Sequence, residues 1–305
     1  MTKEVGIRGK ILGAIISVLV LFSSCGGGGD GGSSTTPTSA ETISGTATKG
    51  PLAGATVTAF SISQSGGQGP QIGTANTDGQ GNFTMQVGNH SGLIIIQVKG
   101  GTFIDEATGQ QMTMGSTDMV TAAIPNISAG STVSGIQITF VTSMAQSMAQ
   151  SMAGGMTQAN ISQANAAMGQ YFAVSDILTV HPMDPTVAMS GSASNQDQRN
   201  YGMTIAAMSQ YAHDIGMPNS SGMITAMMAD ASDGIMNGMM GTRQINMGGM
   251  GGMMGGSMMQ PNGGTSGMAN SMVSFIQSPN NKSGLSQQDM QALINKLMAS
   301  DGHIQ

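Results

Sequence analysis

Charge is what this chain has least of. Asp, Glu, Lys and Arg make up 8% of 305 residues, against roughly a quarter in ordinary soluble domains, so solubility must come from Ser, Thr, Asn, Gln and glycine backbone. No cluster of Lys or Arg occurs and the formal net charge is −6, which argues against nucleic acid, whose phosphates demand clustered cations. Aromatic residues are 3% with no Trp, and there is one cysteine, so no intrachain disulfide and no cysteine metal cluster can form. The four histidines, His90, His181, His213 and His303, show no metal-ligand spacing with one another. Gly-x-Ser-x-Gly, Walker-type and His-Glu-x-x-His motifs are missing. His181 and Asp184 are the one local His and carboxylate pair, and with each followed directly by a proline they read as a loop hydrogen bond rather than a catalytic dyad. An enzyme is not expected, and no cofactor is implied.

Long hydrophobic runs are also lacking. The longest near the start, Ile11 to Phe22, has twelve residues, too few for a helix crossing about 30 Å of hydrocarbon, which takes roughly 20. Lys3, Arg8 and Lys10 precede it and make it a signal-peptide n-region and h-region. It ends in Phe22-Ser23-Ser24-Cys25-Gly26, which resembles the bacterial lipobox. That resemblance implies cleavage after residue 24 and lipid on Cys25, a diacylglyceryl thioether plus an acylated amino terminus. Two or three chains at about 0.8 kcal/mol per buried methylene hold a protein stably on a membrane. Residues 25–41, rich in Gly, Ser and Thr, form a flexible tether. Gly26 in place of Asp after the cysteine resembles outer-membrane sorting, so the expected location is the bacterial cell envelope, lipid-anchored at the outer membrane. Beyond residue 24 the charge becomes six basic against fourteen acidic residues, a net of −8.

Residues 42–141 read as β-structure. Short runs of Val, Ile, Thr and Phe at 46–48, 55–62, 72–77, 82–87, 93–98, 102–105, 112–114, 119–124 and 135–141 alternate with Gly-Pro, Gly-Gly and Asp-Gly turns, the spacing of an antiparallel sandwich. Leu93 to Ile96 is the expected buried central strand. Asp78-Gly79 supplies a turn and Phe83 an apolar anchor. Asp105 and Glu106 would point to opposite faces of a strand and are expected in a solvated hairpin. The segments Gly50-Pro51-Leu52-Ala53-Gly54-Ala55-Thr56-Val57 and Thr77-Asp78-Gly79-Gln80-Gly81-Asn82-Phe83 resemble the carboxypeptidase-regulatory-like (transthyretin-like, Ig-like fold) module. Gly100 to Gly109 is similar to a segment of bacterial surface lipoproteins that join such a sandwich to a helical region.

Residues 142–305 read as an α-helical domain. Met144, Met148, Met152 and Met156 recur every fourth residue, a stripe that packs into a core. Further helices are expected at 158–172, 196–213, 221–231, 268–277 and after the Ser286-Gln287-Gln288-Asp289 capping signal. Asp230, Asp233 and Asn237 fail calcium-loop spacing and read as a helix end and turn. Residues 234–267 are low complexity, with eight methionines between 239 and 259 among glycines, and are expected to be a disordered Met/Gly-rich loop. Soft thioether sulfur prefers Cu(I) among common metals, so Met250, Met253, Met254, Met258 and Met259 form the candidate metal set. Two functions are carried forward. One is a non-catalytic binding or structural module contacting another envelope protein or a glycan; the other is binding or buffering of Cu(I) or Ag(I) by the Met-rich loop.

Overall fold

A computed structural model describes residues 41–247 and 258–305. Cys25, the signal segment, and Met250, Met253 and Met254 lie outside the described residues. The chain is β in its first part and α in its second. Among the described residues no helix is long and apolar enough to cross a membrane.

Strands β1 (Thr42–Thr48), β2 (Thr56–Ile62), β3 (Gln68–Asn76), β4 (Asn82–Gln86), β5 (Gly92–Lys99), β6 (Thr102–Ile104), β7 (Gln111–Thr113), β8 (Met119–Ile127) and β9 (Thr132–Thr139) follow in order. Four of them form a sheet in the order β3-β2-β5-β8, three form a second in the order β4-β1-β9, and β6-β7 is a separate hairpin. The sheets meet along both edges, β3 against β4 and β8 against β9. Period-two alternation sets the inward faces: in β4, Phe83 and Met85 are buried between exposed neighbours. The wholly antiparallel arrangement expected from sequence is corrected at one place. β1 runs antiparallel to β4 but parallel to β9, with Gly45 opposite Ile136. The backbones approach so closely there that a Cβ on Gly45 would fall 2.0 Å from the Ile136 carbonyl oxygen.

The strand expected to run to Val141 stops at Thr139, because Thr139 caps a helix. Its hydroxyl accepts from the amides of Val141 and Thr142, and the Thr142 hydroxyl accepts from the Thr139 amide, a reciprocal box built from two threonines. Helix α1 (Phe140–Ser151) leaves this cap and α2 (Gln158–Tyr171) follows. Both lie against β8, whose residues Val120 to Ile124 are buried on both faces. β8 is an edge strand, and an edge carries unpaired backbone groups. The helices seal it: the Thr121 amide donates to Ser143 Oγ, the Thr142 hydroxyl donates to the Thr121 carbonyl, and Asn165 Nδ2 donates to the Ala123 carbonyl.

Helix α3 (Gln196–Asp214) is the axis of the second part, buried almost without interruption from Asn200 to Ala212. α5 (Ser266–Gln277) packs along it, α6 (Gln291–Ala299) packs on α5, and α4 (Gly222–Ala231) lies chiefly against α1. The Ser286 signal forms a turn, closed by Asp289 on the Ser286 amide and hydroxyl, and α6 opens two residues later. Between α2 and α3 the extended segment from His181 to Pro185 lies on α3. Gly202 permits this, since a side chain there would come within 1.9 Å of the Met183 carbonyl oxygen.

Candidate functional site

Lys49 follows β1 and is fully buried, although lysine almost never is unless paired. Its Nζ lies 3.0 Å from Glu106 Oε2 and 3.6 Å from Asp105 Oδ2, donates to Ser209 Oγ at 2.7 Å, and sits 4.7 Å above the centre of the Phe103 ring. Asp105 and Glu106 are themselves 1% and 2% exposed. The solvated hairpin expected here is therefore corrected. The two carboxylates belong to the turn after β6, where strand alternation no longer separates them, and both converge on one ammonium.

Every oxygen in this group has a donor. Glu106 Oε1 accepts from the Gly50 amide at 2.6 Å and Oε2 from the Ser209 hydroxyl. Asp105 Oδ1 accepts from the Thr108 amide and hydroxyl, and Oδ2 from the Ser220 hydroxyl. Burial alone would raise the Asp105 pKa, but Lys49 and the hydrogen bonds from Ser220 and Thr108 outweigh it and hold the carboxyl below its usual range. Gly50 is the hinge of the arrangement: its φ is +60° and a Cβ would meet the Ile104 carbonyl oxygen at 2.4 Å. The helical part grips the same hairpin elsewhere. Asn219 Nδ2 donates to the Thr113 carbonyl, Asn280 Nδ2 to the Ala107 carbonyl, and the Ser221 hydroxyl to Asp118.

Against this group opens a cleft of about 370 Å³. Thr46, Thr48, Gln80 and Asn82 line it on the β side, His181 and Asp184 on the other, over apolar surface from Pro51, Met183 and Ile205. Gln137 Nε2 donates to the Gly135 carbonyl, which turns its Oε1 toward His181 Nδ1 at 3.1 Å. That contact engages Nδ1, which leaves Nε2 as the ring nitrogen without a hydrogen bond among the described residues. Asp184 Oδ1 takes the amide and hydroxyl of Thr186. His181 and Asp184 thus share a cleft without bonding each other. Glu106 reaches its edge, while Thr46 and Asn82 are tied to each other at 3.1 Å. No Lys or Arg lines it. A smaller cavity of about 210 Å³ shares Gly50, Pro51, Glu106 and Asp184 with it.

The second region of interest is the methionine-rich segment. Its described flanks are ordered, which corrects the expectation of a loop without structure from 234 to 267. A short hairpin of β10 (Met239–Met240) and β11 (Arg243–Gln244) forms, because buried Asp230 Oδ1 accepts from the amides of Asn237 and Gly238 at 2.9 and 2.7 Å. The Met259 amide donates to the Ile245 carbonyl and zips the two flanks together. Of the candidate metal residues, Met259 is fully buried and Met258 is 46% exposed, so the structure does not present them together. Asp233 and Asn237 also hold backbone amides, of Ile235 and Gly241 and of Met239, in keeping with a helix end and turn. The Asp230 carboxyl is pushed up to about 6, chiefly by burial and with help from Asp233, against the lowering effect of its amide donors. Its Oδ2 is buried without a hydrogen-bond partner among the described residues.

No family model matches the chain, and no curated protein matches it.

Two measurements check these assignments. Lys49→Met keeps the volume but strands two buried carboxylates, and should lower the unfolding free energy in urea by about 3–5 kcal/mol; an unchanged midpoint would show that the ammonium is dispensable. Asp230 has a folded pKa above its unfolded one, so its contribution is fully present below the ordinary carboxylate range and is lost as pH rises through about 6. Asp230→Asn keeps the acceptor and removes the charge. It should flatten that loss and stabilise the protein at pH 8 by about 1–3 kcal/mol, read from thermal unfolding at pH 4.5 and pH 8.

Proposed function

We propose that this chain is a non-catalytic lipoprotein of the bacterial envelope that binds a neutral glycan in the cleft between β1 and the segment from His181 to Pro185. The cleft lining carries the reading. It offers the Thr48 hydroxyl, the Gln80 amide, His181 Nε2 and the second oxygen of Asp184 as unspent hydrogen-bonding groups, beside the apolar surface of Pro51 and Met183. Mixed donors and acceptors with one uncommitted carboxylate oxygen suit a polyhydroxyl ligand. With no cation in the lining, a phosphate or carboxylate ligand would have no counter-charge. A cleft of about 370 Å³ falls in the size range of small-ligand sites, so the glycan is favoured over another envelope protein.

The architecture supports a binding role. Two sheets meeting along both edges suit a transthyretin-like sandwich of the carboxypeptidase-regulatory kind, and the helices stand behind it. Cys25 would carry the lipid and residues 25–41 the tether, placing residues 42–305 at the outer membrane.

Neutral oligosaccharides titrated into the protein and followed by amide NMR should shift resonances of Thr48, Gln80 and His181, and Thr48→Ala with Gln80→Ala should weaken binding by about tenfold, the loss expected for two hydrogen bonds. Silence at the cleft across linear and branched neutral glycans, with cross-links from these positions to one envelope protein, would replace the glycan by a protein partner. Separately, the wild-type chain expressed in bacteria should partition into detergent and Cys25→Ala into the aqueous phase; equal partitioning would remove the lipid anchor from the reading.

A further inference from the structure

Of the four methionines spaced by four from Met144, Met144 and Met148 lie in α1, Met152 is its C-cap and Met156 follows the helix. Met144, Met148 and Met156 are 0%, 8% and 1% exposed and pack into the core. Met148 in the last turns of α1 and Met152 at its C-cap both line an open cavity of about 430 Å³. Met240 of the β10–β11 hairpin lines the same cavity from the opposite side, and at 46% exposed it contributes little to packing. Three methionines from two separate parts of the chain thus line one open hollow, whose remaining wall includes Ser151, Ser232 and Asp233.

The third methionine is held in place. Asp233 Oδ2 accepts from the amide of Gly241, the residue after Met240, at 2.8 Å, and its Oδ1 accepts from the Ile235 amide at 3.1 Å. Asp230 anchors the foot of the hairpin through Asn237 and Gly238. On the α1 side the Met152 amide donates to the Met148 carbonyl at 3.2 Å, the closing bond of the helix before its extended C-cap. The backbone is therefore preset, while three flexible side-chain torsions let each sulfur adjust to a ligand.

We propose that Met148, Met152 and Met240 form a three-thioether site for Cu(I), with Ag(I) as its surrogate. Neutral sulfur ligands select soft monovalent ions over Ca²⁺, Mg²⁺ or Zn²⁺. The Asp233 carboxylate in the wall, with no Lys or Arg among the lining residues, makes the hollow hospitable to a cation. This site differs from the set of five loop methionines read from sequence, contains none of them, and is independent of the glycan cleft.

The test is an anaerobic competition titration against a chromogenic Cu(I) chelator, using the whole protein. Wild type, Met240→Leu, the combined Met148→Leu, Met152→Leu and Met240→Leu variant, and a variant lacking residues 248–257 are compared. Leu preserves volume, and Met240→Leu changes an exposed side chain, so folding is retained in at least that variant. The site requires that wild type bind one Cu(I). Met240→Leu should weaken it by at least about tenfold, as even supporting residues of metal sites do, and the triple variant further, while the loop deletion leaves affinity within about twofold. An absence of binding by wild type, unchanged affinity in Met240→Leu, or loss of binding on deleting 248–257 would each overturn the assignment.

Discussion

A lysine ammonium sealed inside the protein is the constraint that the remainder accommodates. Desolvating such a group costs several kcal/mol, repaid only when geometry and additional hydrogen bonds are excellent. Lys49 meets that condition by drawing three other segments to one point. The β6–β7 turn brings Asp105 and Glu106, α3 brings Ser209, and the residues ahead of α4 bring Ser220. None of these segments could slide by one residue without leaving a charge unpaired. The ion group therefore sets the register between the β part and the helices. It also sets the cleft, since the Gly50 amide that binds Glu106 belongs to the same Gly50-Pro51 edge that lines it.

Much of the secondary structure was legible because it is local. Phe83 and Met85 alternate with polar residues, Met144 and Met148 recur at helical spacing, and every strand and helix named from the sequence has a counterpart within a few residues. What escaped reading depends on partners far away. The parallel pairing of β1 with β9 joins residues about ninety apart in the chain. The Thr139 cap was hidden inside a β-branched run because a threonine, not a glutamate, completes its box. The burial of Asp105 and Glu106 is not legible because strand alternation separates neighbours only until the chain turns. The cleft is not legible either, since β1, the turn before β4 and the segment after α2 compose it, and of its lining the sequence sets only His181 and Asp184 side by side as a chemical pair.

Scarce charge has a structural counterpart in the abundance of small polar side chains. Thr142, Ser143 and Asn165 saturate the edge of β8, Asn219 and Asn280 hold the β6–β7 hairpin, and Asp230 with Asp233 holds the β10–β11 hairpin. These residues act as fasteners of backbone rather than as solubilising surface. Methionine does the corresponding work on the apolar side. Met203, Met208, Met223, Met227, Met268 and Met272 are fully buried and fill irregular space between helices with an unbranched, adaptable chain.

The parallel pairing of β1 and β9 also governs the order in which this protein can be made. Strand β1 emerges early, yet one of its two hydrogen-bonded neighbours, β9, emerges only when nearly all the β part has left the ribosome, and Lys49 waits longer still for Ser209. Contacts of such sequence separation slow folding, because a long chain entropy must be lost before they repay it. The elements that lock the structure are thus among the last to arrive, which under the proposed envelope location would keep the chain unfolded for passage across a membrane.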